Sequence, residues 1–103
     1  IQIESSSGLK NVEDIASIDG VDCLWVGHFD LTNFLGIPGD FKSPIYLDAI
    51  NRIVSAAKSN NKSLGIMVNN KSEIEIYSNL GFNIIAVGTE MKLLGDGISN
   101  FLN

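Results

Sequence analysis

The chain has 103 residues, 45% of them hydrophobic and 18% charged, and carries a net charge of −5, the composition of one small folded domain. The acidic balance, with lysine and arginine scattered singly, excludes the basic patch of a nucleic-acid binder and disfavours anionic membranes as partners. The apolar runs are too short to span a bilayer, no signal-peptide pattern is visible in these residues, and the single cysteine, Cys23, allows no internal disulfide and fits a reducing cytoplasm.

Ile1-Gln2-Ile3-Glu4 alternates with period two, as a strand does, with Ile1 and Ile3 on one face and Gln2 and Glu4 on the other. No methionine precedes this pattern, so we expect an N-terminal part before it. Ser5-Ser6-Ser7-Gly8 reads as a loop. Asn11 is expected to cap a short helix from Val12 to Ser17, with Asp14 in its first turn. Val21 to Gly27 reads as a buried strand, with Cys23 and Trp25 in core or helix-facing positions. A long connection follows, HFDLTNFLGIPGDFKSP, with one helical turn expected around Leu31 to Leu35; connections of this length often carry function.

Ser43-Pro44 is a strong helix start. The apolar stripe Ile45, Leu47, Ile50, Ile53, Val54 and Ala57 carries that helix to about Lys58–Asn61. Ser63 to Val68 reads as a third strand. Asn70 or Ser72 caps a helix bearing Ile74, Ile76, Tyr77 and Leu80, closed by Gly81, and Asn83 to Gly88 is a fourth strand. Glu90 to Leu94 is expected as a short helix, ended by a break at Gly95-Asp96-Gly97. The order β-α-β-α-β-α-β predicts an α/β fold with a parallel sheet. It is either a small doubly wound sheet or half of a (β/α)8 barrel, which needs about 250 residues when whole.

In parallel α/β folds the site lies at the carboxyl ends of the strands. Glu4 ends the first strand and Asp30 lies just past the second. On neighbouring strands, about 4.8 Å apart, two carboxylates at one rim repel, so one takes a proton or a cation sits between them. Oxygen ligands suit a hard divalent ion. The spacing equally suits two acids that cap the turns following their strands. Met67 ends the third strand, as packing or as pocket lining.

Together, IQIE, GVD, GHFDLT, LGIPG and GFNIIAVGTE resemble the HpcH/HpaI family of metal-dependent pyruvate aldolases over nearly all 103 residues. The resemblance implies the C-terminal half of a (β/α)8 barrel, strands five to eight, spanning residues 1–103 as a single unit. It implies Glu4 and Asp30 as ligands of Mg²⁺, Mn²⁺ or Co²⁺. Gln2 would reach the bound pyruvate or its metal, and the backbone around Gly27, Phe29 and Asp30 would receive the substrate carboxylate. The implied reaction is cleavage or condensation of a 2-oxo-4-hydroxy acid, with pyruvate and an aldehyde as partners, by a homo-oligomer when full length. The family's acid/base histidine and clamping arginine belong to the other half, so Arg52 is not assigned that role and the chain alone is expected to be inactive.

His28 stands where many members have proline, and is read as a loop residue turned away from the site. Glu90 is read as a helix N-terminal acid. A Schiff-base mechanism needs a lysine at a strand's carboxyl end. Lys62 precedes its strand, and Lys71 and Lys92 sit on following helices. Two alternatives stand beside the aldolase: a citrate lyase β- or malyl-CoA lyase-like enzyme, and a non-catalytic half barrel serving assembly.

Overall fold

A computed structural model describes all residues 1–103. Four short strands, β1 (Gln2–Ile3), β2 (Cys23–Val26), β3 (Ser63–Val68) and β4 (Ile84–Val87), form one parallel sheet in the order β1-β2-β3-β4. The helices between them are α1 (Ser6–Lys10), α2 (Val12–Ala16), α3 (His28–Phe34), α4 (Pro44–Ser59) and α5 (Lys71–Leu80), and α6 (Glu90–Leu102) follows β4. This is the α/β architecture of four consecutive units of a (β/α)8 barrel, not of a doubly wound sheet, whose strand order would reverse at a switch point.

The register sets which side chains share a face. Ile3 pairs with Val26, Val26 with Ile66 and Ile66 with Ile85. With Leu24, Leu64 and Val68, the first three of these pack beneath the helices as the core. α4 supplies the largest cover. Ser43 accepts a hydrogen bond from the Ile45 amide (3.2 Å) and Pro44 occupies the first helical turn. Its buried face is Tyr46, Ala49, Ile50, Ile53, Val54, Ala56 and Ala57, whereas Ile45 and Leu47, expected inside, are half exposed. Each fully buried aliphatic side chain here contributes about 1.5–3 kcal/mol.

The alternate row Gln2, Trp25, Gly65 and Ile84 points away from the helices. Cys23 and Trp25 therefore lie on the open face, contrary to the expectation of a core or helix-facing position. The Trp25 ring lies over Gly65, where a Cβ would collide with it.

Several local expectations are corrected. Ser5-Ser6-Ser7-Gly8 is not a loop: Ser5 caps α1 by accepting from the Gly8 amide (3.0 Å). Asn11 does not cap α2 with its side chain but donates to the Ser7 carbonyl (2.9 Å). The turn expected at Leu31 begins earlier, at His28, directly behind β2. Gly95-Asp96-Gly97 does not interrupt α6, which runs through it with Lys92 and Asp96 paired across one turn at 2.6 Å. Asn70 caps α5 through the Glu73 amide, and Gly81 ends it in the left-handed conformation that glycine adopts freely (φ 108°).

Candidate active site

The site begins where β1 and β2 end. The Gly27 amide donates to the Ile3 carbonyl (3.0 Å), so Glu4 and Gly27 leave the sheet side by side. The absent side chain of Gly27 makes room for two others. A Cβ there would lie 2.5 Å from Gln2 Nε2, 2.8 Å from Glu4 Cβ and 3.0 Å from Glu4 Oε2. Gln2 and Glu4 thus fold over the glycine, held by a backbone approach that no other residue permits.

Gly27 also precedes α3 and offers no side-chain cap. The first amides of that helix have no intrahelical partner and carry the positive end of its dipole. Asp30 lies in this first turn and is exposed. A hollow of about 200 Å³ opens here, lined by Gln2, Trp25, Gly27, His28, Phe29, Asp30 and Met67. Glu4 borders it through Gly27 instead of lining it. Met67 takes the pocket-lining alternative of its two readings.

The donors at this rim are carboxylates and an amide, all hard oxygen ligands. No group of three or more histidine, cysteine or acidic side chains could hold a metal. The missing Cβ of Gly27 brings Glu4 and Gln2 together, and Asp30 stands in the first turn of the helix that follows. A two-carboxylate set leaves coordination positions for water and substrate and so fits a hard divalent ion.

His28 is not in a loop. It is the first residue of α3 and lies at the wall between this hollow and a second cavity of about 320 Å³ beneath α4 and α5. Its ring packs 4.7 Å from that of Phe29 and 5.0 Å from that of Phe41. Burial pushes its pKa below the ordinary value, partly opposed by the Glu73 carboxylate, so the ring is neutral at physiological pH. In the second cavity the Tyr46 and Tyr77 hydroxyls share a 2.7 Å hydrogen bond.

Three of the seven basic side chains are engaged elsewhere. Arg52 donates to both Glu13 carboxylate oxygens (2.7 and 2.8 Å) and to the Lys10 carbonyl (3.0 Å) on the outer side of α4. Those bonds hold the Glu13 carboxyl at about 2, well below the usual range. Lys62 donates to the Ile18 carbonyl (2.9 Å), and Lys92 is paired with Asp96. Glu90 lies in the first turn of α6.

Two residues around α3 escaped the sequence reading. Thr32 is fully buried; its hydroxyl donates to the Phe29 carbonyl (2.7 Å) and accepts from the Gly39 amide (3.0 Å). Phe41 meets Phe29 edge-on at 5.0 Å and Tyr46 at 5.3 Å. The D-L-T and G-I-P-G stretches were visible as motifs, but their contact with each other was not.

Residues 1–96 match the family model of HpcH/HpaI aldolase/citrate lyase. The hydroxypyruvate/pyruvate aldolase of Chromohalobacter salexigens is 37% identical over 94 residues, which cover 91% of this chain and 37% of that protein. The hydroxypyruvate/pyruvate aldolase of Paraburkholderia phytofirmans is 41% identical over 91 residues, or 88% of this chain and 35% of that one. The 5-keto-4-deoxy-D-glucarate aldolase of Shigella boydii is 36% identical over the same length and shares. Among solved structures, an HpcH/HpaI aldolase/citrate lyase family protein from Burkholderia cenocepacia aligns with a TM-score of 0.93 at 34% identity, covering 98% of this chain and 39% of that one. The chain spans just over a third of the length of the curated relatives it matches. By its sequence match and its fold, the chain belongs to the HpcH/HpaI aldolase/citrate lyase family.

Proposed function

We propose that these residues are the C-terminal half of a class II aldolase, a carbon–carbon lyase that interconverts a 2-oxo-4-hydroxy acid with pyruvate and an aldehyde. The observation that carries this reading is the packing of Gln2 and Glu4 over Gly27, one turn from Asp30. Glu4 and Asp30 would hold a divalent ion, Mg²⁺, Mn²⁺ or Co²⁺. That ion supplies Lewis acidity, which polarises a 2-oxo group.

The protein's own groups do the rest. The backbone that follows Gly27, with the open amides of Phe29 and Asp30 in the α3 first turn, receives the substrate carboxylate and fixes its orientation; the Gly27 amide itself is held by the Ile3 carbonyl. The Gln2 amide hydrogen-bonds the substrate oxygen beside it. Trp25 and Met67 form an apolar floor that limits water around the reacting carbonyl. No proton-transfer residue is assigned here, because His28 is packed among aromatic rings and Arg52 is occupied by Glu13. The acid/base and arginine groups belong to residues outside this chain. The 103 residues alone therefore give little or no aldol turnover, and robust turnover by the purified chain would refute the division of labour. The complete enzyme is proposed to be a cytoplasmic homo-oligomer.

The relatives above 35% identity carry aldolase names, whereas the citrate synthase SbnG aligns with a TM-score of 0.86 at 22% identity, a likeness of fold alone. This favours a small-molecule 2-oxo acid over an acyl-CoA substrate. The test is Mn²⁺ titration of the full-length protein followed by EPR, with and without oxalate, beside Glu4→Gln and Asp30→Asn variants checked by circular dichroism. We expect oxalate to tighten binding, and each substitution to weaken it at least tenfold. A folded parent that binds no Mn²⁺ would refute the metal pair.

A further inference from the structure

We infer that Thr32 is a positioning residue for Asp30, acting through the Phe29 carbonyl. The inference rests on the metal reading of Asp30 given above. α3 has seven residues, too few to be stable by itself, and its first turn has no side-chain cap. Something else must fix the carboxylate that it carries.

The buried Thr32 hydroxyl does this from behind. It donates to the Phe29 carbonyl (2.7 Å) and accepts from the Gly39 amide (3.0 Å). The Ile37 amide adds a bond to the Thr32 carbonyl (2.9 Å). The Phe29 carbonyl belongs to the same rigid peptide plane as the Asp30 amide. Anchoring that oxygen therefore sets the plane from which the Asp30 Cα departs. The anchor is the loop at Gly39, where φ is +70°, a conformation that glycine adopts without strain. From Gly39 the chain continues to Phe41, whose ring closes on His28 and Phe29, each at 5.0 Å. On the other flank, Ser6 Oγ, two residues past Glu4, donates to the Phe34 carbonyl (3.0 Å), tying the two acid-bearing segments together. The hydroxyl's single donor is committed to the Phe29 carbonyl and one of its two lone pairs to the Gly39 amide.

Thr32→Val keeps the shape and removes the hydroxyl; Thr32→Ser keeps the hydroxyl. In the full-length protein we expect Thr32→Val to weaken Mn²⁺ about tenfold by EPR titration, with Thr32→Ser within about threefold of the parent, since loss of one anchoring hydrogen bond is worth roughly this factor. Amide hydrogen exchange of the metal-free proteins gives an independent reading. Residues 29–34 and Gly39 should exchange at least tenfold faster in Thr32→Val, where the anchoring bond is missing, and at parental rates in Thr32→Ser. A folded Thr32→Val with parental Mn²⁺ affinity, or a Thr32→Ser as weak as the valine variant, overturns the inference. If Thr32→Val does not fold, the parent decides: a Gly39 amide that exchanges as fast as open loops overturns it, and one as slow as the α3 interior supports it. If the parent itself binds no Mn²⁺, the metal reading fails, and the exchange comparison alone judges whether Thr32 holds the first turn of α3.

Discussion

Replacing Gly27 with alanine puts a methyl group where Gln2 and Glu4 already lie. The new Cβ would stand 2.8 Å from Glu4 Cβ, whereas ordinary contact begins at 3.4 Å, so the two must part by 3.4 − 2.8 = 0.6 Å. Gln2 Nε2, 2.5 Å away, can swing aside, but Glu4 Cβ is fixed to the backbone. The opening must therefore be taken up between β1 and β2, at the bonds from the Trp25 amide to the Ile1 carbonyl (2.8 Å) and from the Gly27 amide to the Ile3 carbonyl (3.0 Å). Overpacking of this kind destabilises by about 1–3 kcal/mol. If the displaced Glu4 carboxylate loses even the lower half of that in its hold on a metal, Mn²⁺ affinity falls roughly tenfold. Urea unfolding and Mn²⁺ titration of the full-length protein read the two effects. Ile53→Val, at a fully buried position of α4 that lines neither acid, is the control. It should lose about 0.5–1.5 kcal/mol of stability and keep its Mn²⁺ affinity within about threefold, because distant sites act independently. Parental stability and affinity in Gly27→Ala would show that the rim is not built on the missing side chain.

Tyr77→Phe should destabilise by about 1–3 kcal/mol in urea, because it strands a hydroxyl; Tyr46 is 1% exposed and bonds only to Tyr77. Converting Tyr46 to Phe as well should recover part of the loss. In an NMR titration, the Glu13 carboxyl should reach its midpoint near 2, and Arg52→Gln should return it toward 4.5. Because the folded value is the lower one, the pair's contribution is complete above the ordinary carboxylate range and disappears as the pH falls through about 2. The groups are exposed, so salt should shrink this shift. Gly95→Ala in the interior of α6 meets open space and should raise helical content in circular dichroism, worth about 0.5–1 kcal/mol of local helix stability.

Much of the architecture was legible because physics left strong marks in the sequence. β3 matched residue for residue at Ser63–Val68, where Leu64, Ile66 and Val68 alternate between polar boundaries. Ser43-Pro44 started α4, and Asn70 and Gly81 bounded α5. Ser5–Gly8 misled because serines serve both loops and caps, and five helical residues show no period. The onset of α3 was hidden because its cap is a glycine with no side-chain signal and β2 runs into it directly. Trp25 and Cys23 were assigned to the wrong face because in a strand apolar on both sides the period says which residues share a face, not which face meets the helices. At the site, alternation put Gln2 and Glu4 on one side. Their meeting over Gly27 and the Thr32–Gly39 bond depend on register and loop path, which local pattern does not encode.

The strand order, identical to the order in the chain, has a consequence for how the sheet is made. Each strand is paired with the strand synthesised just before it, so every pairing in the sheet closes a single crossover. The intervals differ: Gly65 to Ile84 closes over 19 residues, Gln2 to Trp25 over 23, and Trp25 to Gly65 over 40. Loop-closure entropy makes the last the slowest to form. The two flanking β-α-β units are thus expected to assemble early as separate modules. Docking of β2 on β3 by way of α4 would then be the step that limits folding, and substitutions in α4 should slow refolding more than those in α5.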